Sequence, residues 1–224
     1  CFQVDESLLE DYPGSGGSGS KASVRIQFEY DLLGGKINDL SLNAFNDQDA
    51  KDSIATVDLL KTGDLIIRDL AYVGLKALQE IIRKTAFFLC RLSPNVKVYE
   101  RKDDQYVEIE FKNIRGYMEK MGLSMMEKEV YLGKQAKLKT RLVIHRLPAE
   151  EVEKRLRKAK QNNKKKGRNG LTKEYIARAH LNLFITNVAA EIVPTRNVWS
   201  LYRLRWQIEL TFKIWKSKIG RAHV

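Results

Sequence analysis

Val198-Trp199-Ser200-Leu201-Tyr202-Arg203-Leu204-Arg205-Trp206-Gln207-Ile208-Glu209-Leu210-Thr211-Phe212-Lys213-Ile214-Trp215-Lys216 carries two helical stripes side by side. Leu201, Leu204, Ile208 and Phe212 recur at steps of three and four, the period that turns one face of a helix toward a core. Beside them Tyr202, Arg205, Glu209 and Lys216 return to one side of the same cylinder, because their spacings are three, four and seven. A single acid therefore stands among cations on a line next to the apolar face. An amphipathic helix in which Glu209 pairs with Arg205 and Lys213 accounts for that line without any chemistry.

The order of those four residues, Y-x2-R-x3-E-x6-K, resembles the signature of the bacterial insertion-sequence DDE transposases of the insertion-sequence-four family. The resemblance implies an α/β fold: a ribonuclease H-like mixed sheet flanked by helices and interrupted by a mostly β insertion. It implies that Glu209 is the third of three metal-binding carboxylates, and that Tyr202, Arg205 and Lys216 meet DNA at a transposon end; Lys213, on the same helix, is a further candidate for DNA binding. Two aspartates at strand ends must then lie upstream.

Composition agrees with a nucleic-acid partner. The chain has 224 residues, of which 43% are hydrophobic, enough to bury a core as one domain or one domain with an insertion. A net charge of +12 favours a polyanion, since clustered Lys and Arg gain by displacing counterions from phosphates. No apolar run is long enough to span a membrane and no signal-like start is present. Cys1 and Cys90 are too few and too distant for a disulfide framework or a zinc site, so a reducing cytoplasm is expected. With the resemblance this becomes a bacterial, nucleoid-associated setting.

The first acid follows a short alternating run, Cys1 to Val4, which ends at Asp5-Glu6-Ser7. Asp5 can be a solvated acid at a strand end. In the resembled family the first catalytic aspartate stands in an Asp-x-Thr or Asp-x-Ser setting, which Asp5 fits; Glu6 would point to the opposite face of a strand. Pro13 to Ser20 is glycine-rich but lacks the Gly-Lys-Ser/Thr ending of a phosphate loop, so a flexible turn is expected. Ser23 to Tyr30 alternates, Leu33-Gly34-Gly35-Lys36 makes a hairpin turn, and Ile37 to Leu42 returns as a strand. Asp49 to Leu60 has the period of a helix.

The second acid ends an apolar run, Leu65-Ile66-Ile67-Arg68-Asp69, ahead of a helix over Leu75 to Arg83. A strand, an acid at its C-terminal edge and a following helix is the layout in which open α/β sheets place ligands. Asp69 can equally cap that helix. The family pattern is close to Asp-x-Gly-Tyr, so Tyr72 agrees and Ala71 departs from it. Phe87 to Leu92 reads as the next strand, with Cys90 as packing.

Between these acids and the signature lie strand candidates at Val96–Tyr99, Tyr106–Ile109, Lys128–Leu132, Lys139–His145 and Leu181–Val188, with a helix from Phe111 to Met121. His145 and His180 lack partners at metal-ligand spacing and are read as structural or DNA-contacting. A basic block including Arg157, Lys164, Lys165 and Lys166 opens as a helix at Ala149 and, by its asparagines and Gly167, continues as a loop. It is either a solvated face or a strip for a DNA backbone; acids are absent after Glu153, which favours the strip.

The expected organisation is a first part of the catalytic core at 1–92, an insertion at 93–188, and a catalytic helix at 189–218 completing the core. Residues 219–224 break the pattern, and one back-translation reads like a sequencing-library adapter, so an artefactual tail is expected. If the resemblance holds, Asp5, Asp69 and Glu209 bind two divalent ions, Mg²⁺ or Mn²⁺, roughly 3.5 to 4 Å apart. The implied activity is cleavage and strand transfer of double-stranded DNA by cut-and-paste transposition, in a full-length protein that is a homodimer. A two-metal nuclease or resolvase of the same core, and a DNA-binding remnant without turnover, are the alternatives.

Overall fold

Apolar runs that are buried on both faces set the centre of the larger of two units. The structure is a computed structural model that describes residues 2–14, 21–44, 56–69, 74–168 and 170–219, the side chains of Phe2, Thr56, Lys216, Lys218 and Ile219 excepted. It divides into two compact units, Cys1–Lys61 with Arg205–Val224, and Thr62–Leu204.

The first unit holds three antiparallel strands in the order β1 (Phe2–Gln3), β2 (Ser23–Asp31), β3 (Lys36–Ala44). The β2–β3 turn closes as expected: the Asp31 carboxylate accepts from the Leu33 and Gly34 amides at 2.9 Å each, and Gly35 takes φ +66°. The C-terminal helix of this unit, Trp206–Ile219, lays Phe212 and Trp215 edge-on against Phe28 of β2, with ring centres 5.8 and 5.3 Å away.

The second unit is a mixed seven-stranded sheet. Its strands are β4 (Leu65–Arg68), β5 (Phe87–Arg91), β6 (Val98–Lys102), β7 (Gln105–Glu108), β8 (Met125–Leu132), β9 (Leu138–Arg146) and β10 (Leu181–Thr186). They lie in the order β4-β5-β10-β9-β8-β6-β7. β4 and β5 are parallel, joined through helix α1 (Leu75–Arg83), and every other pairing is antiparallel. β10 is buried along its whole length, whereas β7 is an exposed edge carrying charge. α1 buries Ala77, Leu78 and Ile81, the spacing of one helical face. Fully buried Phe88, Leu78, Ile81 and Phe184 each contribute about 1.5–3 kcal/mol by burial. Cys90 is buried among them, and burial pushes its thiol up to about 12, as expected of a packing residue.

The remaining helices are α2 (Phe111–Lys120), α3 (Ala149–Lys165), α4 (Lys173–Ala179), α5 (Thr195–Arg203) and α6, the Trp206–Ile219 helix already described. Three findings differ from the sequence reading. The basic block stays helical to Lys165 and ends in a tight cap, where Gly167 takes φ +63° and the Arg168 amide reaches back to the Asn163 carbonyl at 2.9 Å. That helix is tethered by buried Val152 and by Arg155, which donates to Asn182 Oδ1 at 2.6 Å and to the Leu181 carbonyl at 3.2 Å. Short α4 was not expected, although Thr172 caps it by accepting from the Tyr175 amide at 3.1 Å. The signature stretch is two helices: Leu204 and Arg205 form a turn in which the amides of Leu204 and Ile208 reach back only three residues, to Leu201 and Arg205. Leu204, expected in the core, is 37% exposed.

The start of α5 is clamped. Arg141 of β9 donates to the Val193 carbonyl at 2.7 Å, the Val188 carbonyl at 3.3 Å and Thr195 Oγ1 at 3.1 Å, and pairs with Glu127. Thr195 also donates its hydroxyl to Glu127. Buried His145 donates from Nε2 to the Thr195 carbonyl at 3.1 Å, with its ring edge-on to Phe184 and Trp199. α5 then drops Val198 and Tyr202 into a cluster with Leu89, Val143 and Phe184.

Several expectations fall outside the described residues: the glycine-rich turn at 15–20, most of the helix expected over Asp49 to Leu60, the Leu70–Tyr72 lead-in, and the tail at 220–224. Of that helix, only a 3-10 turn at Thr56–Leu59 is described.

Two stability predictions follow from these contacts. Gly133 has φ +81°, and a Cβ there would stand 2.4 Å from Leu75 Cδ1. Gly133→Ala should lower unfolding free energy by about 1–3 kcal/mol in urea denaturation. Burial holds His145 below the ordinary histidine range, against the opposing bond to Thr195. The unfolded chain therefore takes up a proton that the folded chain refuses, and stability should fall as pH drops below about 6.5. A His145→Gln variant should show a shallower loss between neutral pH and the carboxylate range.

Candidate active site

Asp69 stands immediately after β4, half-buried. The helix beyond it is capped at Gly74 with no side-chain bond, so Asp69 is not that helix's cap. The Tyr202 hydroxyl lies 3.4 Å from Asp69 Oδ1 and donates to it, joining positions 133 residues apart. Tyr202 is 5% exposed and tilts its ring against Phe184, 5.1 Å away. The Arg141 clamp and the core cluster therefore decide where that hydroxyl points. Tyr202 was expected at the DNA; in this structure its ring belongs to the core.

Asp5 is exposed and caps a 3-10 turn over Glu6–Leu8. Its Oδ1 accepts from the Ser7 amide at 3.0 Å. Hydrogen bonding from the Ser7 side chain, and then from the Ser7 backbone, holds the Asp5 carboxyl below the usual range. Asp-x-Ser thus has a local physical meaning, since the serine two positions on orients the aspartate. Glu6 opens the 3-10 turn and is also exposed, so the strand-alternation reason for setting it aside does not operate here.

Glu209 lies in the first turn of α6 and pairs with Arg205 just before that helix, Nη2 to Oε1 at 2.9 Å. The Arg205 side chain is 15% exposed and that of Glu209 is 43% exposed. Lys213 is exposed; the Lys216 side chain is outside the described residues. The signature therefore divides physically: Tyr202 bonds to Asp69, and Arg205 bonds to Glu209.

Arg157, Lys164, Lys165, Lys166 and Arg168 are exposed along α3 and its cap, and no described residue forms a salt bridge with them. Lys160, Lys164 and Arg168 line an open recess of about 270 Å³ with Asn163, Gly167 and Gly170. Arg155 and Lys154 are spent otherwise, Arg155 on the sheet and Lys154 on Glu151 at 3.1 Å.

Asp5, Asp69 and Glu209 fit a hard divalent cation in donor chemistry: all three are carboxylates and each reaches solvent at least in part. Among the described residues of either unit, no three His, Cys, Asp or Glu side chains gather closely enough to hold a metal ion. Among the described residues, no helix is long and apolar enough to cross a membrane. Sequence reasoning named the three candidate acids and missed the approach of Tyr202 to Asp69 and the Arg141 clamp. Neither leaves a local periodicity by which it could have been found.

Comparison with known proteins agrees with the signature. Residues 2–224 match the family model described as the transposase DDE domain. The chain is 35% identical to the transposase for insertion sequence element IS231F of Bacillus thuringiensis subsp. israelensis, over 99% of this chain and 49% of that protein. It is 33% identical to the IS231B transposase of Bacillus thuringiensis subsp. berliner, over 99% and 49%. It is 28% identical to the IS1151 transposase of Clostridium perfringens, over 96% and 48%. The chain thus spans about half the length of the curated relatives it matches. No solved structure matches it. The mixed seven-stranded sheet with its helices is consistent with the ribonuclease H-like core of such transposases, and the chain belongs to the DDE transposase family.

Proposed function

We propose that this chain is the catalytic core of a cut-and-paste transposase, which cleaves double-stranded DNA at transposon ends and joins the released 3′ ends to target DNA. The observation that carries this reading is the contact between the first residue of the signature, Tyr202, and the carboxylate that ends β4, Asp69. An amphipathic helix with a solvated charged face gives no reason for that contact.

In this reading Asp5, Asp69 and Glu209 are the acids that hold divalent metal, which the family uses, and the ions are two Mg²⁺ or Mn²⁺. When bound, such ions activate an attacking oxygen and stabilise the leaving one. The chain's own residues orient and bind. Ser7 orients the Asp5 carboxylate by its hydrogen bond. Arg205 pairs with Glu209 and would contact a phosphate beside the site. Lys213 and Lys216 extend that cationic line on α6. Arg157, Lys164, Lys165 and Lys166 bind the backbone away from the reacting bond. The basic α3 belongs to an insertion at 93–188, and the full-length protein acts as a homodimer in the bacterial nucleoid.

Asp5→Asn, Asp69→Asn or Glu209→Gln should each reduce end cleavage by the full-length protein to background in a gel assay, with end binding retained. Normal cleavage by any of the three removes that residue from the set. Strand joining separates this reading from a nuclease or resolvase of the same core, because only a transposase links a free 3′-hydroxyl end to new DNA. Replacing Lys164, Lys165 and Lys166 by Ala should weaken binding to all sequences alike. The salt dependence of log K should flatten by about one unit per lysine. An unchanged slope would show that α3 does not touch the backbone.

A further inference from the structure

We propose that the outward face of α3 enters the major groove of duplex DNA, and that Gln161, on the centre line of that face, contacts the edge of an adenine. The proposal rests on the reading of α3 as a backbone-binding strip and adds sequence recognition to it.

One face of the helix is occupied by the protein itself. Val152 is buried, and Arg155, Leu156, Ala159 and Asn163 are half-buried along the same stripe. Gln161 stands opposite that stripe, because each residue advances about 100° around the axis. Arg157 and Lys164 lie about 40–60° to one side of Gln161, and Lys158 and Lys165 about 40–60° to the other. All of these are exposed, and no described residue bonds to their side chains. Within each pair the cations are two turns apart, so each pair runs along the axis for about 10 Å. An amide thus lies between two cationic rails.

A face made only for water gives no reason for this order. Solvated helices usually mix signs along a face, as Glu151 and Lys154 do where they pair at 3.1 Å. The acids Glu150, Glu151 and Glu153 all stand at the start of α3, and the rest of the helix has none. Phosphates are therefore repelled from the first turns and attracted from Arg157 onward. Cations in the last turn ease the helix dipole, which accounts for Lys164 and Lys165 but not for Arg157 and Lys158 in the middle.

Size and chemistry select the partner. A helix with its side chains is about 10–12 Å across and the major groove of B-DNA about 12 Å wide, so one helix fits with a phosphate backbone on either side. The rails then meet the two backbones, and Gln161 meets the floor of the groove. Its side chain offers an N–H donor and a carbonyl acceptor, the complement of adenine N7 and the N6 amino group. Lysine and arginine on the backbone hold position whatever the sequence. The open recess of Lys160, Lys164 and Arg168 continues the Arg157 side and gives that rail a seat for a phosphate.

The test measures DNA affinity of the full-length protein, its Gln161→Ala variant and a variant with both Lys158→Ala and Lys165→Ala. Two duplexes are used, one carrying the terminal repeat and one a target site, with 7-deazaadenine replacing one adenine at a time. That base keeps its pairing and loses N7. At one position the parent should lose about 5- to 50-fold in affinity and Gln161→Ala should lose nothing further, with its salt slope unchanged. The duplex that shows the effect tells whether α3 sits on the transposon end or on the target, and either supports the proposal. The double lysine variant should lose about two units of salt slope and keep the same sensitive position. If Gln161→Ala follows the parent at every position, or weakens all duplexes alike, the amide reads no base; the proposal is then overturned while the backbone reading stands. If the double lysine variant keeps the parent's salt slope, α3 is off the DNA and both readings fail.

Discussion

A single guanidinium sets the geometry on which the second candidate acid depends. Arg141, with its side chain 13% exposed, gathers the Val188 and Val193 carbonyls and the Thr195 hydroxyl, and Glu127 balances its charge. A charge so far out of water is tolerable only when its donors are met, because desolvation otherwise costs several kcal/mol. Burial draws the Glu127 carboxyl upward, but hydrogen bonds from Thr195 and Arg141 outweigh it and hold Glu127 below the usual carboxylate range. The ion pair is therefore intact at neutral pH. Its consequence is positional: with the first residue of α5 fixed, the rest of the helix follows by its own rise, and Tyr202 arrives at Asp69.

How much of this was legible in the sequence depends on whether the cause was local. β4, α1 and β5 were readable because burial writes a period into the chain: Ala77, Leu78 and Ile81 share a helical face, and Phe88, Leu89 and Cys90 are a run covered on both sides. The Asp5 environment was readable too, since Ser7 is two residues away. Sheet order was not, because the pairing of β10 with both β5 and β9 joins segments far apart in the chain and leaves no local trace. For the same reason the Tyr202–Asp69 bond was invisible: the signature named Tyr202, but the sequence could not say which way it faced.

The misreadings have physical causes as well. Asn162, Asn163 and Gly167 suggested a loop, yet they are the terminating cap of α3, with Asn163 donating to the Gly170 carbonyl. Turn-forming residues mark where a helix stops as readily as where it never begins. The break at Leu204–Arg205 went unseen because neither residue is a helix breaker; the chain tightens there by exchanging four-residue for three-residue bonds. A helical wheel drawn through that turn places Tyr202 and Glu209 on one line, whereas each belongs to a different helix with its own partner.

The net charge of +12 also needs to be divided before it is read as affinity for DNA. Arg141 and Arg155 are committed inward, to carbonyls, an amide and an acid, and Arg178 stacks on Phe111 while donating to the Ser93 carbonyl. Burial lowers the pKa of Arg155 and Arg178; a guanidinium stays protonated in proteins, so both are charged and structural. Arg205 is paired with Glu209 in this structure. Exposed basic residues remain for phosphates, among them the set on α3 and its cap and Lys213 on α6. Counterion release scales with the cations that touch phosphate and not with the formal total, so the arginines committed inward add nothing to it. The exposed cations on α3 lie along one helix whose far side is anchored by Val152 and Arg155. The strip can therefore present its charges together without ordering a loop first, and it is spared the entropy that a disordered basic tail loses on binding.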